Sequence, residues 1–353
     1  MVNKLSELRS RVRGCFVGGA IGDALGMPVE IWKREDIWAQ YGYITDYLDS
    51  VSRYSKGLTK GQWTDDTKLT LETAGAIIDM LKAHEFSTEA LIKKATMRYI
   101  GAVKEHNRGF GKTTRQSLEA REKSEDPFDG RYAKRPGNGC AMKGAPLGLF
   151  RAIVICCAHD TTPNYRILGD LYSSAGKFSI PVAQITHNDT RSVTAGVIQA
   201  SAAYYALFSL SPRDIMPILI DEAECTEKLL HGESDSPRVS DVMCQIPSLF
   251  SKSDDEIITT LKTSSAAYES FPCALALAAK YENNYEGVVL ACVNAGGDTD
   301  TIAAMAGALV GARNGLETIP QKWRDGLEAY DEIIKIADEF FDVTKFFAEH
   351  YKS

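Results

Sequence analysis

The chain has 353 residues, 44% hydrophobic and 25% charged, with a formal net charge of -7 at pH 7. These proportions match an ordinary soluble globular protein, and the negative balance argues against a general nucleic-acid binder. No apolar stretch approaches the ~20 residues that cross a bilayer, so no membrane partner is expected.

The opening segment, "MVNKLSELRSRVRG", is charged and lacks the apolar core of a secretory signal. The eight cysteines include no C-x-x-C pair, and reduced, mostly buried thiols in a cytoplasmic protein are the expectation. Next comes "GCFVGGAIGDALGMPVE", with glycines at 14, 18, 22 and 26. On a helix these form a nearly bare stripe. Each costs roughly 1 kcal/mol relative to alanine, so close approach by a neighbouring helix or a ligand must compensate. Packing alone leaves Asp23 and Glu30 unexplained at the end of the stripe.

Beyond "GQWTDDT", the residues Leu69, Ala76, Ile77, Met80 and Leu81 recur at helical offsets. Helices are likewise predicted over "TEALIKKATMRYIGAV", "RSVTAGVIQASAAYYALFSL" and "LEAYDEIIKIADEFFDVTKFFAEHY". "GLFRAIVICCA" and "EGVVLACVNAGG" also suit buried strands, but the Asn-Ala-Gly-Gly ending of the second favours helix for both. The segment 119–139 reads as a polar loop and 231–256 as a second irregular excursion. Neither has the composition of an interdomain linker, so one all-α domain spanning 1–353 is expected, monomeric by default.

Two segments carry paired carboxylates at a helix start: Thr64, Asp65, Asp66 and Thr67, and later Asp298, Thr299, Asp300 and Thr301. Capping accounts for one acidic residue in such a place; the second needs another reason. If the two starts converge, their carboxylates disfavour joint ionisation, and divalent cations relieve that repulsion. An all-oxygen donor set suits Mg²⁺, Ca²⁺ or Mn²⁺. An EF-hand beginning at Asp298 fails at Ala303 and Leu309, where Gly and Glu are required. The phosphatase pattern D-x-D-x-T fails at Ile302, and a Walker loop ending in "GFGKTT" fails at His106. The bend at Gly137, Asn138 and Gly139 exposes backbone N–H groups suited to a phosphate. His187 precedes another helix, where Asn188 or Asp189 is a sufficient cap.

In this order, "GGAIGDALGMPVE", "GQWTDDT", "RGFGKTTR", "GNGCAM", "THNDTRSV" and "NAGGDTDTIAAMAGALVGA" resemble the ADP-ribosylglycohydrolase family, over about residues 14–315. The resemblance implies a compact orthogonal helical bundle with two Mg²⁺ or Mn²⁺ ions, the metal-ligand pattern showing no departure. Carried over, Thr64, Asp65, Asp66, Asp298, Asp300 and Thr301 bind metal. Glu30 and Asp300 become the catalytic carboxylates, with their acid and base roles open. Gly137, Asn138, Gly139, Cys140, Ala141 and Met142 line the diphosphate and distal ribose of ADP-ribose, with His187 nearby. The implied activity is hydrolysis at C1″ of ADP-ribose, on a modified protein or small molecule. "GGDTDTIAAM" is similar to the branch acting on serine-linked and O-acyl ADP-ribose. A non-catalytic, crystallin-like member and a Mg²⁺ phosphatase are the alternatives.

Overall fold

A computed structural model describes residues 2–350, apart from 54, 125, 127–133, 158–175, 177 and 234. Among the described residues there are helices and loops but no strand, only an isolated antiparallel bridge between Gly137 and Ala266. The helices begin with α1 (Val2–Gly26), α2 (Arg34–Tyr41), α3 (Asp65–Lys82), α4 (Thr88–Glu105), α5 (Lys112–Ser124) and α6 (Ala145–Cys157). After residues 158–175 follow α7 (Thr190–Leu207), α8 (Pro212–Leu229), α9 (Val239–Met243), α10 (Ile246–Leu249) and α11 (Asp254–Leu261). The chain ends with α12 (Ala267–Lys280), α13 (Tyr285–Val293), α14 (Thr299–Asn314), α15 (Gln321–Gly326) and α16 (Tyr330–His350). One hydrophobic cluster runs from Leu8 in α1 to Ala348 in α16.

Both ambiguous apolar stretches are helical, as α6 and α13. Two expectations need correction. The supposed loop from Glu119 is helical through Ser124; its positions 125 and 127–133 lie outside the described residues. Its Glu, Ala, Arg and Lys are good helix formers, and Arg121 is buried, donating to the Gln184 carbonyl at 2.7 Å. The excursion 231–256 contains α9, α10 and the start of α11. Val239, Met243, Ile246 and Leu249 are all buried at helical spacing, a pattern masked by the polar residues between them.

The glycine stripe of α1 packs on α14, which runs the opposite way. A Cβ on Gly22 would lie 2.2 Å from the Ala303 carbonyl oxygen, and one on Gly18 would lie 2.6 Å from that of Gly307. At the far end, Gly14 and Gly311 exclude each other's Cβ in the same manner, at 2.3 and 2.1 Å from the opposing carbonyls. Backbone therefore touches backbone, and dispersion attraction across this close interface offsets the glycine cost. Packing, not a ligand, is why these glycines are there. Around this pair α16 packs on α1 through Phe16 and Phe340, whose rings meet edge-on at 5.7 Å.

Candidate active site

Antiparallel packing delivers the end of α1 to the start of α14. A Cβ on Gly26 would meet the Asp300 nitrogen at 2.5 Å, and the Thr299 hydroxyl donates to the Gly26 carbonyl at 2.8 Å. The next turn is stitched across the same gap: Ile31 N–H donates to the Gly297 carbonyl at 2.6 Å, and Gly297 N–H to the Trp32 carbonyl at 2.8 Å. Gly296 and Gly297 both have positive φ, +75° and +78°, a region open to glycine at no steric cost. Glu30 is thereby set beside Asp298 and Asp300.

Asp23 is fully buried one turn before the end of α1 and reaches the start of α3. Its Oδ1 accepts from the Thr64 hydroxyl at 2.8 Å. Its Oδ2 accepts from the Thr67 N–H and hydroxyl at 3.0 and 2.6 Å, and both oxygens take the Thr64 N–H. Thr64 occupies the N-cap position without capping through its own side chain. By contrast, Ser87, Asp189, Ser211 and Ser253 each cap their helices through their side chains. A carboxylate from another helix thus satisfies the orphan donors of α3, leaving Asp65 and Asp66 free for other work. Asp23 is the residue sequence reasoning left without a role. Its only signal was an acid in a stripe of glycines.

Asp298 likewise holds the N-cap position of α14 and makes no cap bond. Its Oδ2 instead accepts from Asn138 Nδ2 at 2.7 Å, while Asp300 Oδ1 accepts the Thr301 N–H at 2.9 Å. Capping is therefore not the reason for either aspartate. One oxygen from each of Asp23, Asp66 and Asp300 lies within 4.8 Å of the other two, and the same holds for Glu30, Asp298 and Asp300. Asp300 belongs to both groups. Asp65 belongs to neither, and its Oδ1 lies 2.5 Å from where a Cβ on Gly109 would sit.

This arrangement is electrostatically loaded. Burial, followed by the charge of Asp298, pushes Glu30 up to about 8; burial and Asp23 push Asp65 up to about 7. Asp66 and Asp300 are raised well above the usual carboxylate range, first by burial and then by neighbouring carboxylates. Asp66 Oδ1 is buried with no hydrogen-bond partner. An orphaned anionic oxygen is costly, and a cation is the natural complement. The oxygen donors beside Asp66, the carboxylates of Asp23 and Asp300 and the side chain of Thr301, fit a hard divalent ion.

The turn at 137–142 forms the adjoining wall. Asn138 donates to Ser270 Oγ at 3.0 Å as well as to Asp298. Its N–H groups are less available than the sequence suggested. Asn138 N–H bonds the Ser265 carbonyl, and those of Ala141 and Met142 bond the Asn138 carbonyl, at 3.1, 2.8 and 3.3 Å. His187 is buried against the same turn, where a Cβ on Gly139 would come within 2.6 Å of its ring. Asp189, one of the two caps considered for the following helix, accepts the Arg191 N–H at 3.0 Å.

Over residues 4–347 the sequence matches the family model for ADP-ribosylglycohydrolase. An uncharacterised protein of Archaeoglobus fulgidus is 26% identical over 346 residues, covering 95% of this chain and 97% of that one. The ADP-ribosylhydrolase ARH3 of Bos taurus is 26% identical, with 95% of this chain and 93% of the relative covered. The human ARH3 is 25% identical, with coverages of 92% and 90%. Among solved structures, a chain of an ADP-ribosylglycohydrolase-related protein complex superposes with a TM-score of 0.64 at 24% identity, covering 96% of this chain and 99% of that one. The chain belongs to the ADP-ribosylglycohydrolase family, and its all-α fold is the fold of that family.

Proposed function

We propose that the chain is a metal-dependent hydrolase that cleaves the bond at C1″ of ADP-ribose, releasing it from a modified side chain or small molecule. The observation that carries this reading is a pair of carboxylate clusters, Asp23, Asp66 and Asp300 and then Glu30, Asp298 and Asp300, that share Asp300, with Asp66 Oδ1 buried and without a partner. In this reading two Mg²⁺ ions, or Mn²⁺, are held by Asp65, Asp66, Asp298 and Asp300 with the Thr64 and Thr301 hydroxyls. When bound, they supply Lewis acidity and neutralise charge at the reacting sugar.

The protein's own groups divide the remaining work. Asp298 and Asp300 are buried, whereas Glu30 is only half-buried. Of this trio, Glu30 is the carboxyl able to meet a leaving group, and its raised pKa lets it hold a proton near neutral pH. Protonating the leaving atom at C1″ stabilises a transition state with oxocarbenium character. The turn at 137–142 and His187 flank the diphosphate and distal ribose, and Asn138 ties that wall to Asp298. The linkage proposed is to serine or an O-acyl group, on the resemblance of residues 296–305 to that branch.

Release of free ADP-ribose from serine-linked, arginine-linked and O-acetyl substrates tests the reading, each with Mg²⁺ or with EDTA. Release from the first or third that EDTA abolishes is the expected result. Release that survives EDTA removes the metal assignment. Absence of release from all three, with ADP-ribose binding unchanged by Asp298→Ala, removes the site.

A further inference from the structure

We propose that Lys143 and Thr186 hold His187 in one tautomer, with its proton on Nε2, so that the imidazole donates to an oxygen of ADP-ribose. The ligand half of this inference rests on the reading of the 137–142 turn as the binding wall.

Lys143 is only 1% exposed, among the largest fully buried side chains in the protein. Its amino group donates to the Gly139 carbonyl and, at 2.6 Å, to Thr186 Oγ1, and it lies 5.9 Å from the centre of the Tyr99 ring. An ammonium has donors and no acceptor. Having accepted from Lys143, the Thr186 hydroxyl has one proton left to place.

Three acceptors lie near that proton: the Ala183 carbonyl at 3.4 Å, His187 Nδ1 at 3.2 Å and the Cys140 sulfur, which as a thiol is a weak acceptor. The carbonyl is already crowded: it takes the N–H groups of Thr186 and His187, both at 3.2 Å, and the Cys140 thiol at 3.4 Å. A carbonyl oxygen has two lone pairs. The Thr186 proton therefore goes to Nδ1, nearer and emptier than the carbonyl and a stronger acceptor than the thiol. A neutral imidazole accepting at Nδ1 carries its hydrogen on Nε2.

That nitrogen faces the candidate wall, 2.9 Å from where a Cβ on Gly137 would sit. Any side chain at 137 or 139 would displace the ring, which gives the Gly-Asn-Gly spelling a second reason besides the turn. Burial and the nearby Lys143 push His187 down to about 3, so the ring stays neutral at physiological pH. Lys143 is thus a positioning residue. It acts through Thr186 and through the Gly139 carbonyl at once, locking the histidine and the turn to each other.

The test uses the full-length protein labelled with ¹⁵N-histidine, the His187 signal being assigned by its loss in His187→Gln. Long-range ¹H–¹⁵N correlation at neutral pH is expected to show Nε2–H in the wild type and in Thr186→Ser. In Thr186→Val it is expected to show Nδ1–H or a mixture. By calorimetry, Thr186→Val and Lys143→Met are each expected to raise the Kd for ADP-ribose about tenfold, with Thr186→Ser and Lys143→Arg restoring most of it. A wild-type Nδ1–H tautomer, or a tautomer untouched by Thr186→Val, overturns the inference while leaving the functional reading intact. A wild type with the Nε2–H tautomer that binds no ADP-ribose overturns the functional reading and the ligand half, and supports the hydrogen-bond half.

Discussion

The Thr67 hydroxyl donates to Asp23 Oδ2 at 2.6 Å, and the Thr67 N–H reaches the same oxygen at 3.0 Å. Through this carboxylate α1 caps α3, and the cap leaves Asp65 and Asp66 at the helix start without a capping duty. Hydrogen bonds to a charged group contribute about 1.5–3 kcal/mol each, net, and a lost N-cap costs about 0.5–2 kcal/mol. Asp23→Asn keeps the shape but removes the charge and half the acceptor capacity. Urea unfolding is expected to show a loss of about 2 kcal/mol for Asp23→Asn and more for Asp23→Ala. An Asp23→Asn protein as stable as wild type would mean that the carboxylate serves something other than α3.

Close packing between α1 and α14 makes a sharper test of the fold, because two glycine-to-alanine changes are expected to move stability in opposite directions. A Cβ at Gly22 would sit 2.2 Å from the Ala303 carbonyl, where backbone must shift. Overpacking of this kind costs about 1–3 kcal/mol, and the shift would also part Glu30 from Asp300. At Gly101 in α4 a Cβ meets nothing within 4 Å, and alanine there is expected to add about 0.4–1 kcal/mol. Melting and activity of the two variants, read side by side, check both outcomes.

Much of this was legible in the chain. The glycines at 14, 18, 22 and 26 and the small residues of α14 both announced a closely packed helix. Nothing in either segment said that they meet each other. That pairing is a tertiary fact, and the convergence of Asp66 with Asp300 follows from it. The role of Asp23 was hidden for the same reason, since its partners lie more than forty residues away. Asn138 was read for its backbone, whereas its side chain binds Asp298. Helices α9 and α10 escaped because each is little more than one turn, too short for a periodic pattern to repeat.

Asn138 gives a prediction about metal affinity. Removing a group that holds a ligand in place costs roughly 10–100-fold in metal affinity or activity. Asn138→Ala frees Asp298 to turn and is expected to weaken Mg²⁺ binding about tenfold, read by calorimetry. Asp66→Asn removes the carboxylate that a cation would bind. It is expected to abolish the Mg²⁺-induced rise in Tm and to cut ADP-ribose release by more than about a hundredfold, beyond that range. In EDTA the same variant is expected to melt close to wild type, because without a cation burial and the neighbouring carboxylates already favour the protonated, uncharged form of Asp66. A variant that keeps the Mg²⁺-dependent rise would remove Asp66 from the cation site.

The acidic cluster also sets the sign of a pH dependence. Glu30 rises from 4.5 to about 8 and Asp65 from 3.8 to about 7 on folding, both chiefly by burial. Between the unfolded and folded values the native state binds more protons than the unfolded one, so stability falls as pH rises. The contribution is complete below the unfolded values and is lost as pH climbs through about 7 to 8. In EDTA, Tm is therefore expected to drop between about pH 5 and pH 8.5. A cation binds the ionised carboxylates, so the gap in Tm between Mg²⁺ and EDTA should widen over the same range. Scanning wild type and Asp66→Asn at several pH values separates this from the opposing titration of His106. That ring is pushed down to about 4 by burial and destabilises the fold only on the acid side. A Mg²⁺ gap of constant size from about pH 5.5 to pH 8 would mean that the cation binds somewhere other than these carboxylates.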